Sequence, residues 1–341
     1  IIERDPLNLN LESIKSSRSS LIIGDATNKN ILKKANISKA KTAFLLMESD
    51  THQVNTCMHI YQLLMKSERG ESNPLSCIMH LKNQEFLNPM RTHNLVQDTH
   101  DGFELNIFNV YENSAREMFE TSPPDREGIT VDSKKYVQIF IIGFGQAGEA
   151  LALQTAFTGH YVNGLKPQIV IVDRLAKEKI PNFLERYPSF SEFCKLEFLS
   201  LDANSPQLIQ HLIKYLEDPN ALNSIVLCFD NNVNNMLLGL QFESLKINDD
   251  HTPPKVFART SENESFFTFS ENIKPYGLPS KVSSHEVIVR GILDKKAKAF
   301  HGSYLNKRKY ADDFGTKVAD ADWANLSQEY KDSNRKVADH M

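Results

Sequence analysis

Cysteine is scarce in this chain, with four in 341 residues and no C-x-x-C pair among them. Cys57, Cys77, Cys194 and Cys228 each sit inside an apolar segment. That pattern excludes a disulfide framework or a cysteine zinc site and predicts buried, reduced thiols. Long apolar runs are missing too. No stretch approaches the roughly 18–20 residues that span a bilayer, and no basic, apolar leader opens the chain. A strong charge of either sign is absent, since the formal net charge is −4, and nucleic acid is not an expected partner. The eleven histidines fall in no H-x-x-x-H or H-E-x-x-H spacing, and no EF-hand is present, so no metal ligand set is expected. Nor is there a P-loop, a G-x-S-x-G turn or a Cys/His nucleophile arrangement, and no catalytic residue can be nominated. What remains is 40 % hydrophobic and 24 % charged, a soluble globular composition long enough for two or three domains.

The most informative stretch runs from Val137 to Asp173, VQIFIIGFGQAGEALALQTAFTGHYVNGLKPQIVIVD. An apolar run ends in Gly143-Phe144-Gly145-Gln146-Ala147-Gly148, a helical segment follows, and a second apolar run closes on Asp173. In a strand–turn–helix–strand unit the first glycine permits the tight turn and the second lets backbone N–H groups approach a pyrophosphate. The third lets helix and strand pack closely, and the helix N-terminus faces the anion. The carboxylate at Asp173 is placed to meet a ribose hydroxyl. An acidic residue there favours NAD(H) or an adenine nucleotide over NADP(H), although the adjacent Arg174 can instead accept a 2′-phosphate.

The remaining segments form two similar halves. IIERDP (1–6) matches IVDRLA, which sets Glu3 against Asp173. GDATNKNIL matches LDANSPQLI, which sets Asp25 against Asp202. TAFLLMESD matches SIVLCFDNN, and PLSCIMHLKNQEFL matches PKVFARTSENESFF, aligned proline to proline. Such self-similarity predicts a duplicated α/β unit. The first half has no counterpart of VQIFIIGFGQAG. Its central strand and phosphate turn are therefore expected upstream of Ile1, in a longer polypeptide, and a first sheet complete within 1–120 would contradict this. Residues 122–135, rich in Pro, Gly and charge, read as a linker.

The run Gly24-Asp25-Ala26-Thr27, with Leu32, Ala40, Ser49-Asp50 and Asn55, resembles the RCK family, the regulator-of-potassium-conductance or Trk-type nucleotide-binding modules. The second half resembles it more loosely, keeping Gly143, Gly145, Gly148, Asp173 and Asp202-Ala203, with Leu201 in place of the glycine. Farther on, His301, Tyr304, Trp323, Leu326, Lys331, Ser333, Asn334, Arg335, Ala338 and His340 are similar to the RyR domain named after ryanodine receptors. These resemblances imply two tandem Rossmann-like doubly wound parallel sheets and a small, mainly helical third domain. The expected division is 1–121, linker 122–135, 136–284 and 285–341. They also imply NAD(H) or adenine-nucleotide binding, a homo-oligomer, and the cytoplasmic, ligand-sensing part of a cation channel or transporter whose membrane segment lies upstream.

Several residues stay open between two roles. Asp25, Asp202 and Asp230 end strands at the carboxyl edge, where they either line a nucleotide cleft or cap the following helices. His301, Tyr304, Trp323, Asn334 and Arg335 combine aromatic faces with a guanidinium, suited either to stacking a base and holding a phosphate or to a small helical core. A soluble nucleotide or second-messenger sensor without a membrane part and an NAD-dependent oxidoreductase are the competing readings.

Overall fold

The computed structural model describes residues 1–12, 19–66, 73–91, 93, 102–125, 128–245, 253–261 and 270–340. The chain divides into two compact units, residues 1–109 with 325–330, and residues 110–324 with 331–341. This differs from the division expected above. The helix over 110–121 falls in the second unit, and residues 285–324 are not set apart from it. Among the described residues no helix is long and apolar enough to cross a membrane.

The first unit contains β1 (Ile2–Glu3), β2 (Ile22–Ile23), α1 (Lys29–Lys34), β3 (Thr42–Leu45), α2 (Asp50–Leu64), β4 (Leu75–His80), α3 (Gln84–Arg91) and β5 (Phe103–Phe108). Its strands form two parallel pieces, β1-β2 and β3-β4-β5. Leu32, Ile60, Leu64, Leu75, Met79 and Phe103 pack its core. The segment QEFLNPMRTHNL, 84–95, reads as a helix in the sequence; α3 covers Gln84–Arg91, and residues 92, 94 and 95 lie outside the described part.

The second unit opens with α4 (Val110–Thr121) and continues as β6 (Tyr136–Ile142), α5 (Gln146–Thr158), β7 (Gln168–Val172), α6 (Ala176–Arg186), α7 (Phe190–Phe193), β8 (Lys195–Leu199), α8 (Pro206–Leu216), β9 (Ala221–Leu227), α9 (Asn232–Glu243), β10 (Lys255–Arg259) and β11 (Ile273–Tyr276). Short α10 (Pro279–Val282) and α11 (His285–Ile288) lead to α12 (Lys295–Arg308) and α13 (Gln328–His340). Six parallel strands lie in the order β11-β10-β9-β6-β7-β8. Central β6 shows why its sequence is continuously apolar: Ile139 and Ile141 pack into the core on one face, Phe140 and Ile142 into that on the other. A parallel strand covered on both faces has no polar side to offer water.

The first unit's order, β2-β1 and β3-β4-β5, is that of the second sheet with β6 taken out. Burial differs accordingly. Phe44 and Leu46 are 46 % and 61 % exposed, whereas the matching Val226 and Cys228 are buried beside α5 residues. Strand pairing corrects one part of the sequence alignment. Thr42 pairs with Ser76 and Ser224 with Lys255, so β4 and β10 align one residue away from the proline-to-proline match. His80 then stands opposite Arg259. The next strands agree, since His80 pairs with Phe108 and Arg259 with Tyr276. Strand pairing overrides a shared proline because the backbone ladder fixes register.

Candidate functional site

The glycine turn lies where β6 ends. Gly143 has φ +95°, a conformation that glycine adopts without strain. Its N–H donates to the Val172 carbonyl at 2.8 Å, stitching the turn to β7. At Gly148 a Cβ would lie 2.4 Å from the Gly143 carbonyl oxygen, so α5 approaches the strand more closely than any other residue allows. Gly145 is the N-cap of α5 and has no side chain with which to cap it. A Cβ on Gly145 would meet nothing within 4 Å. The positive end of the α5 dipole thus lies next to open space at Gly145, with half-buried Gln146 beside it. An anion such as a pyrophosphate fits that surface.

Asp173 is committed to the turn itself. Its Oδ2 accepts from the Phe144 N–H at 2.8 Å and from Lys179 Nζ at 2.7 Å, and its Oδ1 accepts from the Leu175 N–H at 2.8 Å. Three of about four lone-pair sites on a carboxylate are thus used. Burial alone would raise this carboxyl, but the Lys179 ammonium and the two N–H bonds outweigh it and hold the group below its ordinary value. Asp173 holds the turn in shape and has Oδ1 left to offer a ligand.

The other candidates line the same carboxyl edge. Arg174 is largely exposed and lies 3.8 Å from Asp202, an ion pair of small energetic weight. Asp202 Oδ1 accepts from the Asn204 N–H at 2.8 Å, and that bond holds its carboxyl low. The cap of α8 is Ser205 rather than Asp202. Asp230 is exposed and pairs with Arg259, whose guanidinium lies 5.0 Å from the centre of the Tyr111 ring. In the first unit Glu3 Oε1 accepts from the Asp5 N–H, and Asp25 Oδ1 from the Thr27 N–H, each at 2.8 Å. Asn28 caps α1. Glu3, Asp25 and Asp202 fold their own turns, and none of Asp25, Asp202 and Asp230 caps the helix that follows it.

The C-terminal candidates separate into two groups. His301 is buried, its Nε2 2.8 Å from the Ala321 carbonyl, and its ring stacks on Tyr304 and meets the edge of Trp323. Tyr304 donates to Asp320, which also takes two bonds from Arg308. Arg335 is engaged elsewhere, bonding both oxygens of Asp294 at 2.8 and 2.6 Å and Asp332 at 2.7 Å. Asn334 is half-buried on α13. The three rings form an aromatic cluster, while the Arg335 guanidinium, open in the sequence between a phosphate and a helical core, bonds carboxylates.

Sequence reasoning missed the residues that position this edge. Asn235 is fully buried and ties three backbone groups together: Phe229 N–H at 3.2 Å, Phe229 carbonyl at 2.8 Å and Arg259 carbonyl at 2.8 Å. Lys179 carried a signal, a cation one helical turn into α6 facing Asp173; Asn235 carried none beyond its place in an Asn-rich segment. Among the described residues no group of three His, Cys, Asp or Glu side chains could hold a metal.

Comparison with known proteins adds one family match. Residues 1–90 match the TrkA-N domain. No curated protein matches the chain at a significant level. Among solved structures, a dipicolinate synthase chain from Bacillus halodurans aligns over 86 % of each chain at 10 % identity, with a TM-score of 0.29. That score is too low to carry an argument. What the match to the TrkA-N model supports is an RCK-type resemblance confined to the first 90 residues.

Proposed function

We propose that this chain is a non-enzymatic, nucleotide-sensing regulatory region, and that its second unit binds the pyrophosphate of NAD(H) or the phosphates of an adenine nucleotide at the Gly143–Gly148 turn. The observation that carries this is the glycine turn at the end of a central parallel strand, where Gly143 takes a positive φ, Gly148 brings α5 against the turn, and open space lies above Gly145 at the start of the helix. Backbone N–H groups of residues 145–148 would hold the phosphates, and the free side of Asp173 Oδ1 would meet a ribose hydroxyl. The match of residues 1–90 to the TrkA-N domain supports a role in controlling cation transport. In that role the chain acts from the cytoplasmic side as a homo-oligomer joined to a membrane channel or transporter. Binding could move such a partner only through different affinity for two arrangements of the chain.

Titration calorimetry and thermal shift with NAD, NADH, ATP and ADP test the reading. Stabilisation should grow with ligand concentration by mass action and be lost in Gly145→Asp, which sets a negative side chain where the phosphate would sit. No shift with any of the four would remove the nucleotide. Turnover of NAD with an alcohol, lost in the same variant, would replace a sensor with an oxidoreductase.

A further inference from the structure

The helix that begins at the glycine turn is gripped at its other end by the last turns of α13. Gln154 of α5 donates to Asp339 Oδ2 at 3.2 Å. His340 Nδ1 lies 3.1 Å from the Thr158 carbonyl, and its ring meets that of His160 edge-on. The Lys336 ammonium sits 4.5 Å from the centre of the Phe157 ring. Asp339 in turn takes two bonds from Arg116 of α4, at 2.7 and 3.0 Å. Arg116 also bonds Asp294 at 3.0 Å and the Leu293 carbonyl at 2.9 Å, while Arg335 of α13 closes the set on Asp294. These side chains are mostly buried, Arg116 and Asp294 being 14 % and 10 % exposed. An ion cluster so removed from water is weak evidence for stability, since desolvation offsets most of its attraction. What it does supply is a discrete geometry, because taking away one member strands the others.

Helix α5 is suited to transmit position. Its residues 147–156 are all buried, and the close approach of Gly148 to Gly143 makes turn and helix one body. Its thirteen residues span roughly 20 Å at about 1.5 Å each. One end presents N–H groups to the proposed phosphate, and the other carries Gln154, Phe157 and Thr158 against α13.

We propose that residues 331–340 of α13 are the output element of the nucleotide site, so that nucleotide binding at the turn and docking of α13 on α5 favour one another. This rests on the nucleotide reading above. The docked arrangement is the one in which the turn is already formed, with Asp173 holding Phe144 and Lys179, so a ligand that selects this turn selects docked α13. By linkage the effect is reciprocal: loosening α13 must weaken the ligand by the same factor.

Amide hydrogen exchange on the full chain tests it, with NADH and ATP as probes and Asp339→Asn and Gln154→Leu as variants. Gln154→Leu removes only the α5 side of the contact, so one variant survives if the other fails to fold. Saturating nucleotide should slow exchange in residues 331–340 several-fold in the unmodified chain. Both variants should speed exchange there and weaken nucleotide binding about 5- to 20-fold, in the range typical of coupling between sites. Nucleotide that binds without changing exchange in 331–340 overturns the inference and leaves the binding reading intact. If neither probe binds, exchange in residues 143–150 decides the matter without ligand. A rise there in the variants keeps the mechanical link while the nucleotide reading falls, and no change sinks the link as well.

Discussion

The carboxyl edges of the two units can be laid over one another bond for bond. Glu3 and Asp173 each accept from the N–H two residues on, as do Asp25 and Asp202. Ser49 caps α2 and Asn231 caps α9, each by bonding the N–H three residues later. Gln53 donates to the Met47 carbonyl, and Asn235 to the Phe229 carbonyl, six residues back in both cases. Asp50 accepts from the Lys82 N–H, and Asn232 from the Ser261 N–H, at positions that match once the register is corrected. The difference lies in what stands between them. The second unit has β6, its glycine turn and α5, and there Asp173 reaches across to Phe144. The first has no strand pairing with both β1 and β3 among its described residues, and the second oxygen of Glu3 bonds Asn8 instead. The duplicated contacts thus build the edge, and the phosphate turn is what makes one edge a candidate ligand site.

The sharpest way to break the comparison is at Gly148. Alanine usually gains about 1 kcal/mol over glycine inside a helix. Here its Cβ would press on the Gly143 carbonyl at 2.4 Å, and that atom is backbone and cannot swing aside. Gly148→Ala should therefore cost the second unit about 3 kcal/mol, a fall in Tm on the order of 10 °C by calorimetry. The first unit should keep its exchange protection. Gly145→Ala is the contrast, because its Cβ enters open space and stability should stay within about 1 kcal/mol. Equal losses from the two substitutions would mean that the turn is not packed as described.

A smaller effect is expected at the buried amides. Asn235→Ala removes a side chain serving three backbone groups, while Gln53→Ala removes the bond to the Met47 carbonyl. A typical intramolecular hydrogen bond contributes a net of roughly 0.5–1.5 kcal/mol, the lower end applying where water enters the space that alanine leaves. Urea unfolding followed by segment-resolved exchange should show the larger loss for Asn235→Ala, confined to the second unit. A larger loss for Gln53→Ala would upset the idea that the second edge is the more tightly built.

How much of this was legible in the sequence depended on whether a feature is local. The strand–turn–helix unit, its three glycines and the duplicated acidic positions are patterns of neighbours, and they were readable. The matching of PLSCIMHL to PKVFART failed by one residue because proline marks where a strand begins but not with which residue it pairs. The helix over 110–121 reads as the end of the first module, yet Ala115, Met118 and Phe119 pack into the core around α5. Only contact across many residues decides that. Arg335 stays open in the sequence between holding a phosphate and serving a small helical core, because a guanidinium declares its chemistry and not its partner, and its partner, Asp294, lies 41 residues earlier in the chain. Asn235 stayed invisible since an asparagine in a polar run looks like any cap.

The smallest effect uses the register correction itself. His80 and Arg259 occupy matching places, but only His80 has an ordinary pKa near neutrality. Burial, with help from the Lys82 ammonium and against Asp50, pushes the His80 imidazole down to about 4 from its ordinary 6.5. Its ring stacks on Phe108 at 5.0 Å in this neutral form. As pH falls through 6.5 the unfolded chain takes up a proton that the folded first unit refuses until about pH 4. Stability of the first unit should therefore decline across that window, by about 1 kcal/mol after allowing for partial solvent access, and His80 should contribute no further loss below it. Arg259 is charged throughout, so the matching strand of the second unit has no such term. Exchange in residues 75–80 and 255–259, compared at pH 7.5 and pH 5, should show the first weakening more than the second. The gap should close in His80→Phe, whose ring can still stack on Phe108 but cannot titrate. A gap that survived in that variant would assign the acid sensitivity to another group and remove the histidine from the comparison.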